Sequence, residues 1–444
     1  MRNLHKNLTG LLLLGLVLST STMAQSYFNS LHMGQMGSSH SIDVALGGSN
    51  TSVYSSAFNT FTNPANQGGF KGLDVTGSFS LLNIKENRSY AAIDQFADRV
   101  TDNIYVVSRG GQNGFAGGFS WGNGMLGVSA VSMPFSTPAF FFKEEIRGSL
   151  YSPNINRDPL VGYHHTEQKG MIQASGTSVG SAFGSWSVGA GVRVLHGMGL
   201  ENQYGISIID SADISPLAAG ETALENETWE LSNSPVIVNL GLIKDLGMHW
   251  RISASYQTPY ALESTRRSAI PVFEITEDFP LVNWASDTID LAINVPAQLE
   301  LGLRMKPSNP LPTAVYFSLV YQDWSQYELT YSDSLGGELS DFEFPLQETF
   351  SVRGGLEHWV SDNVPFRAGF VWAESPLAGE LAQTRFSAGS GWVSGPLKFD
   401  VAVQLFSVRY KSSDIFVPIN MSPHNSENIS ETQTMYSISM SYSL

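Results

Sequence analysis

Few residues in this chain have the types and spacing that covalent chemistry needs. His164-His165 stands near Asp158 and Glu167, a set of metal-binding types, but a solvated loop explains it more simply. Glu144-Glu145 and the Asp341/Glu343 pair read as solvating faces or loose contacts for divalent cations. There is no nucleophile elbow, phosphate loop or HExxH helix, so no catalytic residue is assigned and no enzyme, metal or cofactor is expected. Binding chemistry is better represented. Arg193, Arg251, Arg304, Arg353 and Arg367 alternate with apolar neighbours, and a guanidinium holds a carboxylate through two parallel hydrogen bonds. The plainer role for each is a pair with an acid such as Glu300, Glu357 or Asp400. Aromatic side chains gather in two stretches. One holds Phe135, Phe140, Phe141 and Phe142, and the other Tyr260, Phe273, Phe279 and Trp284. Both suit capture of an apolar molecule, and both equally suit anchoring at the level of lipid headgroups.

The elements that must position these groups are strands. In Tyr436–Leu444 every even residue is Tyr, Ile, Met or Leu and every odd residue is Ser. An extended backbone sends alternate side chains to opposite faces, so this ending is a ribbon with one apolar and one hydroxyl face. The same period of two runs through LKFDVAVQL, QLELGLRMK, PFRAGFVWA, HWRISASYQ and TFSVRGGLE. About fourteen strands can be placed, a number within the range of membrane barrels. They begin near residues 71, 113, 124, 168, 186, 233, 249, 294, 313, 347, 364, 382, 396 and 434.

Their connections alternate in length. Gly122-Asn123-Gly124, Gly184-Ser185, Asp245-Leu246-Gly247, Lys306–Pro312, Ser361-Asp362-Asn363 and Ser394-Gly395-Pro396 are short and rich in turn residues. The others are long, at 85–112, 135–167, 197–232, 259–293, 323–346 and 409–433, with a shorter one near 374–381. Short turns at one end and long loops at the other are the mark of a transmembrane barrel. A soluble sandwich also alternates, but its polar face would carry more Lys and Glu than the Ser, Gly, Ala and Thr found here. In lipid every backbone group must be paired, so the sheet closes and the last strand pairs with the first.

Bulk properties agree. Aromatic residues make up 11% of the chain and charged ones 14%, with 42 glycines and no cysteine, so a disulfide framework is excluded. A net charge of −16 without a basic stripe excludes a nucleic-acid partner. Arg2, Lys6, the apolar run Leu11–Leu18 and Thr22-Met23-Ala24 have the form of a secretory signal peptide over residues 1–24. Residues 25–70 are apolar rather than linker-like, and a barrel this wide has a lumen to fill. The expected organisation is therefore a signal peptide at 1–24, a plug or hatch at 25–70 and a transmembrane antiparallel β-barrel at 71–444.

One family resemblance is carried by motifs in order along nearly the whole mature chain. ALGGSNTSVYSSAFNTFTNPANQGG contains Asn63-Pro64-Ala65 and resembles the NPA element in the hatch of the FadL/TodX long-chain fatty-acid transporters. SYQTPYAL, NVPAQLELGL, YQDWSQY and VRGGLEHWVSDNVPFRAGFVWAESP resemble four further segments of that family. The resemblance implies an all-β fold, a fourteen-stranded barrel plugged by an N-terminal hatch, in the bacterial outer membrane. It also implies passive uptake of hydrophobic small molecules such as long-chain fatty acids or aromatic hydrocarbons, by a monomer among outer-membrane lipids. Asn63, Pro64 and Ala65 would then gate the hatch, with capture by Phe140, Phe141, Phe142, Tyr260, Phe273, Phe279 and Trp284. Arg193, Arg251 and Arg304 would meet an anionic head, and the third strand, with Gly127 and Pro134, would open sideways into the bilayer. The alternative is a FadL-like barrel that serves protein secretion, like the shuttle of the type IX system, and binds exported proteins without moving lipid. Lumenal lining separates the two, because only a transporter needs a continuous apolar route.

Overall fold

The computed structural model describes residues 40–49, 56–93, 99–137, 139–147, 160–208, 220–275, 280–308, 312–333, 338–342, 346–376, 379–413 and 426–444. The expected signal peptide at 1–24 and the first part of the expected plug lie outside the described residues, as do Phe279 and Pro138.

Period-two alternation produces strands, and strands that must pair in lipid produce a closed wall. In chain order the strands are β1 (Lys71–Ile93), β2 (Arg99–Asn123), β3 (Leu126–Ser136), β4 (Ala139–Arg147), β5 (Leu160–Phe183) and β6 (Trp186–Ile208). Next come β7 (Gly220–Leu231), β8 (Val236–Leu246), β9 (Trp250–Gln257), β10 (Tyr260–Ile275), β11 (Pro280–Val295) and β12 (Gln298–Met305). The last are β13 (Thr313–Asp323), β14 (Glu328–Asp333), β15 (Glu338–Phe342), β16 (Glu348–Ser361), β17 (Val364–Ala373), β18 (Gln383–Ser394), β19 (Leu397–Ser413) and β20 (Ser426–Ser443). Six positions in the wall are split in two (β3/β4, β7/β8, β9/β10, β11/β12, β13/β14 and β15/β16), so the twenty segments make fourteen antiparallel positions. The barrel closes where β20 pairs with β1 from Asp74↔Ser443 to Ser89↔Asn428, and Leu73 and Leu444 exchange both backbone hydrogen bonds.

The outward face is apolar and the inward face polar or small, as the alternation requires. Ile438 is 48% exposed, while its neighbours Ser437 and Ser439 are 1% and 2% exposed. Tyr436, Met440, Tyr442, Phe399, Leu405, Leu301, Ile252 and Phe366 extend the outer belt around the wall. A continuous exposed apolar belt on a closed barrel is the surface of a membrane-spanning protein. No helix among the described residues is long and apolar enough to cross a membrane, and the strands make the crossing.

Short turns fall where the sequence puts them, and Gly124, Gly184, Gly247 and Gly395 occupy the left-handed region there, with φ of 89°, 61°, 72° and 56°. The long connections differ from expectation. Much of 85–112, 135–167, 197–232 and 259–293 is strand, because β1/β2, β5/β6 and β10/β11 continue as tall hairpins. Sequences such as Lys85–Arg88 or Glu221–Glu227 have no apolar period, so nothing in them announces a ladder.

Inside the wall lie His40–Ser49, with the short helix α1 (Ser41–Ala45), and Ser56–Phe70, with single 3-10 turns at Ala57–Thr60 and Pro64–Gly69. α1 packs on β17 to β20, and the Pro64–Gly69 turn packs on β2, β3, β5, β6 and β8.

Candidate functional site: a lumenal cavity beside a break in the wall

Pro64 fixes φ for the first residue of a helical turn, and Asn63 caps that turn by accepting the Ala65 N–H on its Oδ1 at 3.1 Å. The same side chain donates from Nδ2 to the Ala254 carbonyl of β9 at 3.4 Å. The wall beneath is glycine. A Cβ at Gly189 would fall 2.5 Å from the Ala65 nitrogen, and one at Gly180 would fall 2.7 Å from Gly68 N and Pro64 O. Backbone can lie directly on backbone only because these positions have no side chain. Thr60 extends the seam through its hydroxyl to Ser129 and Ser178, at 2.7 and 3.1 Å, and Asn239 donates to the Phe61 carbonyl at 2.7 Å. Residues 40–49 lie on Gly355, Gly369 and Gly389 in the same way, and are held by Ser387 Oγ on the Ala45 carbonyl, Ser41 Oγ against Ser437 Oγ, and Arg353 on the Gly48 carbonyl.

Between the two inner segments and the wall is a cavity of about 380 Å³. Phe58, Phe61, Met133, Phe135, Phe406 and Met435 give it apolar surface. Arg193, Arg353, Arg385 and several amides and hydroxyls, among them Gln257 and Asn239, give it polar surface.

Above the cavity the inner wall changes character. The inward positions of β9 are Ser253, Ser255 and Gln257, whereas those of β10 are Tyr260, Leu262, Ser264 and Arg266. Gln257 and Tyr260 are three residues apart, not two, and a one-residue slip exchanges the faces of everything beyond it. Pro259 stands at that slip, and Pro296 stands at the equivalent one between Val295 and Gln298. Beyond the slips the apolar half of each hairpin turns inward. Leu262, Leu291, Ile293, Val295, Ile172, Leu195 and Leu200 join Phe135, Phe58 and Phe61 in one buried apolar cluster, with Tyr327, Leu346 and Trp324 at the level of the Pro296 slip.

The third wall position is broken at the height of the cavity. β2 pairs with β3 from Gly122↔Gly127 to Gly117↔Ser132 and resumes with β4 at Gly111↔Ala139. Seven steps of β3/β4 thus face six of β2, and six of β5 on the other side. Pro134 lies in this interval and lines the cavity, together with Met133 and Phe135. Its ring occupies the space that a Cβ at Gly114 would need, 2.5 Å from Pro134 Cγ.

The expected site residues separate as follows. Arg193, Pro134 and Phe135 line the cavity, and Tyr260 belongs to the apolar cluster. Phe140 and Phe142 point inward and are buried, with the Arg88 guanidinium 5.2 Å from the centre of the Phe142 ring. Phe141 is a correction: it is 43% exposed on the outer face, because the odd-to-even slip at Pro134–Ser136 turns it away from the lumen. Arg251 is another. It forks onto Asp245 at 2.6 and 3.0 Å beside a short turn, well below the cavity. Arg304 stands opposite Arg251 in the ladder, at the same end and outside the cavity lining. Gly127 lies within unbroken pairing on both sides, under Gln67, so the gap begins beyond it. Arg367 is held between Glu357 and Asp400 at 2.7 and 2.6 Å. Phe273 and Trp284 lie high in the β10/β11 hairpin, where Phe273 pairs with Val282 and Trp284 with Pro271. His164 and His165 lie in the β4/β5 ladder rather than a loop. Arg385, Gln257 and the wall glycines were missed; a glycine pattern at inward positions of adjacent strands is the signal that would have found the seam.

Comparison with known proteins agrees with this geometry. No protein-family model matches the chain. A Salmonella typhi protein named long-chain fatty acid transport protein is 23% identical over 147 residues, 31% of this chain and 33% of that protein, so the match spans about a third of the curated relative. Among solved structures, a Pseudomonas aeruginosa FadL homologue superimposes with a TM-score of 0.62 at 13% identity, over 92% of this chain and 99% of that one. The P. putida toluene transporter TodX gives 0.60 at 14%, over 91% and 98% of the two chains. The Ralstonia pickettii toluene transporter TbuX gives 0.55 at 13%, over 91% and 98%. At these identities the likeness establishes the fold, and it is the fold that the sequence motifs resemble.

Proposed function

We propose that this chain, which has the fold of the FadL/TodX barrels, is a bacterial outer-membrane channel for passive uptake of hydrophobic small molecules. The observation that carries the proposal is the buried apolar cluster running from Trp324 and Tyr327, level with the slip at Pro296, to Phe58, Phe61 and Phe135 at the cavity. A greasy molecule gains by exchanging water for such a lining, and a few polar groups then fix its orientation. From the cavity the way out is sideways, at the interval in β3/β4 marked by Pro134, because straight descent is obstructed by the segment seated on the glycine wall. Gating is then a shift of residues 40–49, which line the cavity through Asp43, Val44, Gly47 and Gly48, while Asn63, Pro64 and Ala65 stay as the anchor. Names of similar proteins, a fatty acid transporter and toluene transporters, favour the same substrate range. The secretion-shuttle alternative needs no apolar lining, so the lining favours transport.

The test is uptake of a radiolabelled fatty acid and of toluene by cells that lack their own such channel, with and without this chain at measured surface abundance. Transport predicts faster uptake with the chain for at least one of the two; equal rates for both would contradict it.

A further inference from the structure

Resting on the transporter reading, the charges inside the cavity narrow the class of substrate. Most arginines whose side chains are described have an acid within ion-pair distance. Arg88 is paired with Glu86, Arg251 with Asp245, Arg266 with Glu227, Arg353 with Glu300, and Arg367 with Glu357 and Asp400. Two cavity-lining arginines differ. Arg193 donates from Nη2 to Gln257 Oε1 and stacks over Phe61, its guanidinium carbon 5.4 Å from the ring centre. Arg385 donates from Nη2 to Gln383 Oε1 at 2.6 Å and stacks over Phe406 at 5.6 Å. Among the described residues neither has a carboxylate within ion-pair distance, although the buried Glu431 acts on Arg385 from farther off, and the buried Nε of each has no partner. The two acids that also line the cavity are engaged elsewhere, Asp43 with His40 at 3.3 Å and Glu300 with Arg353 at 3.7 Å.

Arg193 is on β6 and Arg385 on β18, the fifth and twelfth of fourteen wall positions, so they face each other across the lumen. A largely desolvated guanidinium with no carboxylate in ion-pair contact is costly, and a face-on phenyl ring offsets only part of that cost. A ligand with one acid head compensates one of them and leaves the other as it is. An apolar chain with an acid at each end compensates both, each through a bidentate fork, and lays its middle on Phe58, Phe61, Phe135 and Met435. We infer that the cavity is built for a ditopic amphiphile, an apolar body with a carboxylate at either end.

Equilibrium binding to the full chain in lipid nanodiscs tests this, with dodecanedioate, dodecanoate and dodecanol as probes. The expected result is that dodecanedioate binds at least about tenfold tighter than dodecanoate. Arg193→Gln and Arg385→Gln, each checked for a folded barrel by its heat-dependent gel mobility, should each remove that preference. The wild-type comparison stands alone if a variant does not fold. Dodecanoate or dodecanol bound as tightly as the diacid would overturn this inference and leave the transporter reading intact. Binding of none of the three would overturn both.

Discussion

Thr137 donates its hydroxyl to the carbonyl of Asn113 at 2.7 Å and accepts that residue's own N–H at 3.1 Å. A side chain of one wall position thus satisfies backbone of the next where a strand would ordinarily do so. This is how a barrel in lipid can interrupt a ladder without leaving polar groups bare. The interruption is therefore built, and it sits beside the cavity.

Restoring the ladder should close the route. Deleting Pro134 removes the one surplus residue and, with it, a position that cannot donate to the ladder. The deletion should leave a folded barrel with uptake reduced at least about tenfold, equivalent to about 1.4 kcal/mol in the barrier. Unchanged uptake at equal surface abundance would mean that substrate does not leave by this gap.

The hatch anchor should respond to two different substitutions. Asn63→Ala loses the cap on the Pro64 turn, worth about 1 kcal/mol, together with the bond to Ala254. Gly189→Val puts side-chain atoms where Ala65 now lies. Both should loosen residues 56–70 and raise single-channel conductance in planar bilayers. Conductance equal to the parent's in both variants would contradict the anchoring role.

The outer belt predicts a depth-dependent penalty. Ile438→Arg places a charge on the lipid face and should destabilise the barrel by roughly 2–4 kcal/mol if the position is near the bilayer midplane. Ser437→Ala, on the inward face of the same strand, loses hydroxyl contacts with Ser41 and Ser80 and should cost roughly 1 kcal/mol. Denaturant titration in detergent or lipid measures both, and equal costs would contradict the assignment of faces.

Leu262 tests the apolar route. Leu262→Asn puts an amide into the buried cluster, at a cost of about 1–3 kcal/mol if it finds no partner. Uptake should fall several-fold with the barrel still folded. A wild-type rate would remove this stretch from the path.

Much of this was legible in sequence. The outward faces of β9, β12, β16, β17, β19 and β20 follow from the period of two alone, because a lipid-facing row must be apolar. Asn63-Pro64-Ala65 was legible as an element, and its partners were not, since glycines such as Gly189 and Gly241 carry no sign of what lies on them. Parts of the tall hairpins, such as Lys85–Arg88 and Glu221–Glu227, were read as loops because they lack an apolar row. Phe140, Phe141 and Phe142 were grouped as one capture stretch because nothing in the sequence marks it as strand, in which Phe141 and its two neighbours take opposite faces. Arg251 and Arg304 alternate like Arg193, and only height in the barrel separates them from the cavity.

Binding of apolar molecules in the lumen is tested most simply by mass spectrometry of small molecules retained after purification from outer membrane in mild detergent. An unrelated barrel prepared alongside is the control. The account predicts a hydrophobic or amphiphilic compound at near-stoichiometric amount, enriched over the control and lost on heating. A barrel that carries no such compound but brings an exported protein with it would contradict the claim and favour the secretion reading.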